Sequence, residues 1–127
     1  MFEHVQKIKG RVLAIKITGE VTDAEHRQID RLLVSHIDRW ERIRILLTVK
    51  HYPTLNSAEA LYEDLRMIKL HSDSIERLAV VGDRPWKSTW VGLFGLFSRM
   101  ETDYFDWDQI DAAWRWVTEG LSVEVST

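Results

Sequence analysis

The sequence predicts an α/β fold: one domain built on a mixed, mostly parallel sheet that opens with an antiparallel hairpin. Two nearly continuous apolar runs, at 43–49 and 77–81, are typical of strands buried inside a parallel sheet. Helix-periodic stretches separate such runs, and 127 residues with 45% apolar side chains suffice for one hydrophobic core. The expected order is β-β-α-β-α-β-α-β-α, in which helices join the parallel strands.

The hairpin comes from the stretch HVQKIKGRVLAIKITG, residues 4–19. Lys9 and Gly10 supply its turn, and Gly19 ends the second strand. The second strand is supported by apolar residues that alternate along it: Val12 is followed by Leu13, Ile15 and Ile17. A turn this short joins antiparallel strands, so the hairpin adds one antiparallel strand to the sheet.

The first helix begins at a predicted capping box in the sequence TDAE. The Thr22 side chain can accept from the amide of Glu25, and the Glu25 side chain can reach back to the amide of Thr22. Residues at helical spacing then continue to about Trp40, where the helix is expected to end. They are Ile29, Leu32, Leu33, His36 and Ile37.

A second helix is predicted after the loop KHYPTLNS, with Asn56 or Ser57 as its N-cap. Its inward-facing residues are Leu61, Leu65 and Ile68. A buried strand at 77–83 comes next, and the stretch GDRPWKSTWVGLFGLFSRM, residues 82–100, supplies the third helix. The sequence TDYFD, residues 102–106, is a short last strand.

The fourth helix closes the predicted domain. Asp106 or Asp108 caps it, and Gly120 ends it. One face carries Ile110, Ala113, Trp114 and Val117. Residues 1–120 are therefore expected to form the domain, and residues 121–127 a C-terminal tail.

Composition restricts the class of function. The net charge of −3 and a pI of about 5.9 argue against non-specific binding to nucleic acid, which needs a basic surface. The chain has no cysteine, hence neither disulfides nor thiolate chemistry. Its first residues lack the basic-then-apolar pattern of a signal peptide, so a cytoplasmic protein is expected.

The catalytic and metal-binding motifs that the chain approaches are incomplete. GDRPWKST follows a predicted strand as a P-loop does, but the spacing from Gly82 to Lys87 is one residue short. Trp86 also occupies the place of the second glycine. No two histidines have metal-ligand spacing, and His36, on the apolar stripe of the first helix, is expected to be a packed core residue. The sequence predicts no enzyme, no cofactor and no metal site.

The stretches ERLAVVGDRPWKSTWVGLFGLF and YFDWDQIDAAWRWV resemble the SpoIIAA-like family, as do the opening hairpin and the LYEDL of the second helix. The resemblance covers residues 2–119, and apolar and aromatic patterns carry it. It implies the STAS-type fold, named for sulfate transporters and anti-sigma-factor antagonists. It also implies a non-enzymatic role in regulation or in binding small ligands, lipids or membranes.

The resemblance gives Ser57 a second interpretation. In anti-sigma-factor antagonists, a serine at the start of the second helix is phosphorylated, and the sequence Asn56-Ser57-Ala58-Glu59 lies over that loop. Asn56 stands where the family has aspartate, and Glu59 would repel a phosphate. An N-cap already accounts for Ser57, so the phosphosite is the alternative interpretation.

The predicted third helix is unusually apolar. From Trp90 to Phe97 no side chain is charged or polar, and a helix that is apolar all round must be covered. The sheet covers one side, which leaves a neighbouring helix, an apolar ligand or bilayer, or a second subunit for the other. Gly92 and Gly95 each cost about 1 kcal/mol in a helix interior and favour close approach of another group.

The sequence therefore predicts a domain that binds a hydrophobic or amphipathic small molecule, such as a fatty acid or lipid, or transiently a membrane surface, through helix 85–99. The site is expected between the second and third helices. Its apolar walls are Trp86, Trp90, Phe94 and Phe97, with Tyr62 and Met67 from the second helix, and Arg84 and Lys87 would hold an acidic head group. The alternative is a protein-interaction module of the anti-sigma-factor-antagonist type, in which the same helix contacts a foreign partner or a second copy.

Overall fold

A computed structural model of the chain describes residues 2–5, 10–19, 21–50, 66, 68–82 and 100–121. They include a five-stranded sheet in which the strands lie in chain order. The strands are β1 (Phe2–Val5), β2 (Val12–Thr18), β3 (Ile43–Lys50), β4 (Ile75–Gly82) and β5 (Glu101–Asp106). β1 is antiparallel to β2 and every other neighbouring pair is parallel, which confirms the predicted mixed α/β sheet with its N-terminal hairpin.

Two α-helices lie wholly within the described residues, α1 (Asp23–Trp40) and α2 (Ile110–Thr118), and residues 66 and 68–70 are also helical. α1 has the predicted capping box: the amide of Glu25 donates to Thr22 Oγ1 at 3.1 Å, and the amide of Thr22 donates to Glu25 Oε1 at 3.1 Å. Its predicted end at Trp40 is also confirmed. Short 3-10 turns, Ser72–Ser74 and Trp107–Gln109, precede β4 and α2.

The two helices pack on opposite faces of the sheet. Alternate strand residues such as Leu13, Ile45 and Val80 form one core with Ile29 and Leu33 of α1. The intervening strand residues form a second core with α2, whose buried members are Val12, Ala14, Leu46, Ala79, Val81, Ala113 and Val117. Because both faces are covered, β3 and β4 are almost continuously apolar, as the sequence predicts.

The start of α2 differs from the prediction. Asp106 is the N-cap of the 3-10 turn, where the amide of Asp106 donates to Gln109 Oε1 at 3.1 Å, and α2 begins only at Ile110. The apolar face of α2 is confirmed, since Ile110 and Trp114 are partly buried against the same core as Ala113 and Val117. Gly120 follows the helix with φ of 80°, a conformation that favours glycine.

Parts of the predicted fold lie outside the described residues. They are most of the second helix, the third helix and the tail from 122 to 127, so the division into a domain and a tail stays a prediction. Ile68, the last inward residue predicted for the second helix, is buried. None of the helices that the structure describes is long and apolar enough to cross a membrane.

Candidate functional site

The predicted ligand-binding residues lie outside the described part of the chain. They are Arg84, Trp86, Lys87, Trp90, Phe94 and Phe97 in the segment 83–99, Tyr62 and the candidate phosphosite Ser57 in the segment 51–65, and Met67. The structure describes the residues at which these segments leave the sheet and return to it. Lys50 and Gly82 end β3 and β4, and Met100 precedes β5.

The two return points lie on the same face of the sheet. Ile68 and Met100 are both buried in the core that contains Ile29 and Leu33 of α1. After each of the two segments, the chain therefore re-enters the described part of the fold on the α1 side. The site between the second and third helices stays a prediction.

The carboxyl edge of the sheet is tightly packed where β4 ends. A side chain at Gly82 would place its Cβ 3.1 Å from the hydroxyl oxygen of Tyr104 and 3.6 Å from the carbonyl oxygen of Val49. Tyr104 is itself buried. Glycine is therefore the residue that fits where the chain leaves β4 for the aromatic segment.

Two arginines at the amino edge hold the C-terminal end of α2. Arg44 donates from Nη1 to the carbonyl oxygens of Val117 and Glu119, at 3.2 and 2.6 Å. Arg77 donates from Nη1 to the carbonyl oxygen of Trp116 at 2.7 Å and lies over that indole ring. Arg44 thus supplies donors to carbonyls at the end of the helix, and Arg77 adds a second donor to the Trp116 carbonyl, which also accepts from the Glu119 amide at 3.3 Å. Both cations interact favourably with the helix dipole.

A shift in strand register places these arginines side by side. Ile43 pairs with Ile75, but Arg44 pairs with Arg77, so Glu76 is the additional residue in β4. Glu76 Oε1 lies 3.2 Å from Nε of Arg44. Like charges directly opposite each other normally destabilise a sheet, and here helix carbonyls and carboxylates offset the repulsion.

At the carboxyl edge of the sheet, on the α2 face, two lysines lie close to an exposed tryptophan. The Lys50 ammonium lies 4.6 Å from the centroid of the Trp107 ring, and the Lys16 ammonium lies 6.0 Å from it. The distances are those of cation–π contacts. Sequence reasoning missed this cluster, although a lysine inside each apolar strand was a usable signal.

Two of the described histidines, His36 and His71, have contacts within the fold. His36 is half-buried, hydrogen-bonds to the main chain of Gly10, and has a buried Nε2 with no hydrogen-bond partner. Burial lowers the pKa of His36, as expected for a packed residue. His71 Nε2 lies 3.3 Å from Asp30 Oδ1. Within the described ranges, no group of three or more His, Asp or Glu side chains is arranged to hold a metal ion.

Comparison with known proteins identifies the family. A family model described as SpoIIAA-like matches residues 12–118. The chain belongs to the SpoIIAA-like family. Neither the curated proteins nor the solved structures gave a match. The match spans β2 to the end of α2 in this SpoIIAA-like protein, and membership supports a STAS-type domain with a regulatory or protein-interaction role.

Proposed function

We propose that this SpoIIAA-like domain is a non-enzymatic binding protein for a hydrophobic or amphipathic small molecule, a fatty acid or a lipid, held by the aromatic segment 85–99. The observation that carries the proposal is the run from Trp90 to Phe97, which contains no charged or polar side chain. A segment of this composition needs an apolar partner on every side if it is helical. Transient contact of the same segment with a membrane surface belongs to the same proposal.

The described strands support a location of the aromatic segment beside the sheet. β4 and β5 are adjacent and parallel, so the chain has to return from the carboxyl edge at Gly82 to the amino edge at Met100. Such connections are almost always right-handed, and the same handedness places α1 on its face of the sheet. The connection from β4 to β5 is therefore expected on the α1 face, in agreement with the burial of Met100 in that core.

Family membership supports the part of the proposal that says the domain is not an enzyme. SpoIIAA-like STAS domains are generally regulatory and non-enzymatic. A ligand-binding role needs only an apolar cavity with a few polar groups at one end, and Arg84 and Lys87 lie at the start of the aromatic segment. These two cations would hold the carboxylate of a fatty acid.

Hydrogen exchange with sodium oleate tests the proposal. Binding segments are drawn from the less stable parts of a fold, so amides in 86–97 should exchange faster than those of β4 without oleate and slow when it is added. Octanol at the same concentration is the control for a general effect of an apolar solute. Exchange across 86–97 as slow as in β4, and unchanged by oleate, would show that the segment is ordinary core.

The second candidate function is a protein-interaction module, which the family supports directly. In that case the apolar segment contacts a foreign protein or a second copy of the chain, and oleate has no effect on its exchange. Self-association predicts a dimer at micromolar concentration that Trp90→Glu converts to a monomer. Size-exclusion chromatography with light scattering measures both states.

A further inference from the structure

We infer that Lys16, Lys50 and Trp107 form a binding site for a phosphate monoester at the carboxyl edge of the sheet. The site lies on the α2 face, whereas the aromatic segment is expected on the α1 face. It therefore stands independently of the proposed function. Its occupant is a phosphate group with an apolar or aromatic substituent.

The geometry brings the two lysines together from neighbouring strands. Lys16 pairs with Thr48, and Lys50 pairs with Thr18, so the two lysines are two residues apart along adjacent parallel strands. Their neighbours Ile17 and Val49 are buried in the α1-side core, and alternation therefore directs both lysines to the other face. Both ammonium groups then lie within 6.0 Å of the centroid of one indole ring.

The charges of these lysines are not paired within the described residues. The chain has 20 acidic residues and a net charge of −3, yet neither Lys16 nor Lys50 forms an ion pair there. On the same face, at the other end of the strands, Arg44 and Arg77 are occupied by helix carbonyls and carboxylates. Among the described residues, the lysine end of this face therefore has cations without an anionic partner, and the arginine end does not.

Three described acidic residues adjoin this cluster in strand register or in sequence. Glu3 pairs with Lys16 across the antiparallel hairpin, and Asp106 and Asp108 flank Trp107. Glu3 and Asp108 are exposed, where water and salt screen their charges. The Asp106 side chain accepts from the main-chain amide of Gln109 in the capping box.

The charge of the cluster favours phosphate over carboxylate. Lysine binds phosphate as a point charge, and two ammonium groups exceed the single negative charge of a carboxylate. A phosphate monoester carries about −1.5 to −2 charges at pH 7, so it matches two ammonium groups. Trp107 is 37% exposed and offers an aromatic surface to the ester substituent.

Titration of the 15N-labelled full chain with phenyl phosphate tests the site. The indole N–H signal of Trp107, assigned from its loss in Trp107→Phe, should shift and saturate. Lys16→Gln and Lys50→Gln should each weaken binding at least fivefold, and Lys50→Arg, which keeps the charge, should weaken it less than threefold. Lys69→Gln removes a lysine elsewhere on the described surface and should change the affinity less than twofold.

Two further arms identify the source of the phosphate group. Inorganic phosphate should bind more weakly than phenyl phosphate, because it has no group to stack on Trp107. Phosphatidylcholine vesicles with phosphatidic acid, compared with vesicles without it, show whether the group is a lipid head group at a bilayer.

The inference is overturned if neither phenyl phosphate nor these vesicles give a saturable response, or if the response is equal in Lys50→Gln and Lys69→Gln. Trp90→Ala should leave phenyl phosphate binding unchanged, so a failure of the oleate experiment does not affect this one.

Discussion

The main-chain amide of Phe2 donates a 2.6 Å hydrogen bond to Glu25 Oε2, which joins the edge strand β1 to the first turn of α1. The other carboxylate oxygen of Glu25 accepts from the amide of Thr22 in the capping box. One side chain thus satisfies a helix terminus and fixes the first strand. Hydrogen bonds from the Thr22 amide, and next from the Phe2 amide, lower the pKa of Glu25 below its ordinary value of 4.5.

Glu25→Gln should make the domain less stable at neutral pH and less sensitive to acid. Because the folded-state pKa of Glu25 is lowered, its contribution is fully present above the unfolded-state pKa and is lost as pH falls through the folded-state pKa. Urea unfolding between pH 7 and pH 3 measures this difference. Asp23→Asn removes a carboxylate from the same helical turn and is the control. Equal acid dependence in wild type and Glu25→Gln would contradict the prediction.

Arg44→Ala should destabilise the protein by about 2–3 kcal/mol, because hydrogen bonds to charged groups are worth about 1.5–3 kcal/mol and carbonyls of α2 would lose their partner. The Arg44 side chain is 12% exposed, so solvent replaces the lost bonds poorly. Arg42→Ala, at an exposed position just before β3, should stay within about 0.5 kcal/mol of wild type. Chemical denaturation of both variants gives the comparison, and equal stability would show that Arg44 does not anchor α2.

Gly82→Ala should cost about 1 kcal/mol, because the added methyl group meets the Tyr104 hydroxyl inside the usual contact distance. Tyr104→Phe removes that oxygen, and the next neighbour in the ring, Cε2, is at an ordinary 3.5 Å. The double variant should therefore be more stable than the sum of the single changes by about 0.5 kcal/mol or more. Strict additivity in a double-mutant cycle would show that contact with the Tyr104 hydroxyl does not cause the destabilisation by Gly82→Ala.

Two tryptophans should separate ligand binding from stability. Trp114 packs on the α2-side core, so Trp114→Ala should destabilise the protein by about 2–3 kcal/mol, near the lower end for a large aromatic residue because it is only partly buried. Trp90→Ala should weaken oleate binding instead. Oleate titration by calorimetry, with thermal unfolding of each variant, tests the pair. If oleate binding is weakened in Trp114→Ala and not in Trp90→Ala, Trp90 is not part of the oleate site.

Ser57→Ala should lower stability by about 1 kcal/mol or less if Ser57 is an N-cap, and should alter no interaction. Urea unfolding measures the first effect, and pull-down from host extract with wild type and variant measures the second. Phosphorylation of Ser57 in that extract to one phosphate per chain, detected by mass spectrometry, would favour the switch interpretation of the second candidate function instead.

Local pattern determined the succession of elements. The capping box at Thr22, the apolar run of β3 and the stripe on α2 are encoded within a few residues each, because helix and strand periodicities repeat over one turn or one pleat. For that reason five strands, α1 and the apolar face of α2 were predictable. The boundaries of the elements were less predictable. β4 begins at Ile75, two residues before the predicted start, because the polar Glu76 interrupts the apolar pattern at the register shift.

Tertiary structure alone decided which distant residues meet. The pairing of Arg44 with Arg77 depends on one residue of register between β3 and β4, and the apolar pattern does not specify which residue is additional. The meeting of Lys16 and Lys50 at Trp107 depends on strand order and on the path of the 3-10 turn, which local periodicity does not contain. Local sequence thus determined the five strands, α1, the apolar face of α2 and the apolar composition of the segment 85–99. The tertiary structure decided the side-chain clusters at the two edges of the sheet, because their residues approach only after the strands have aligned.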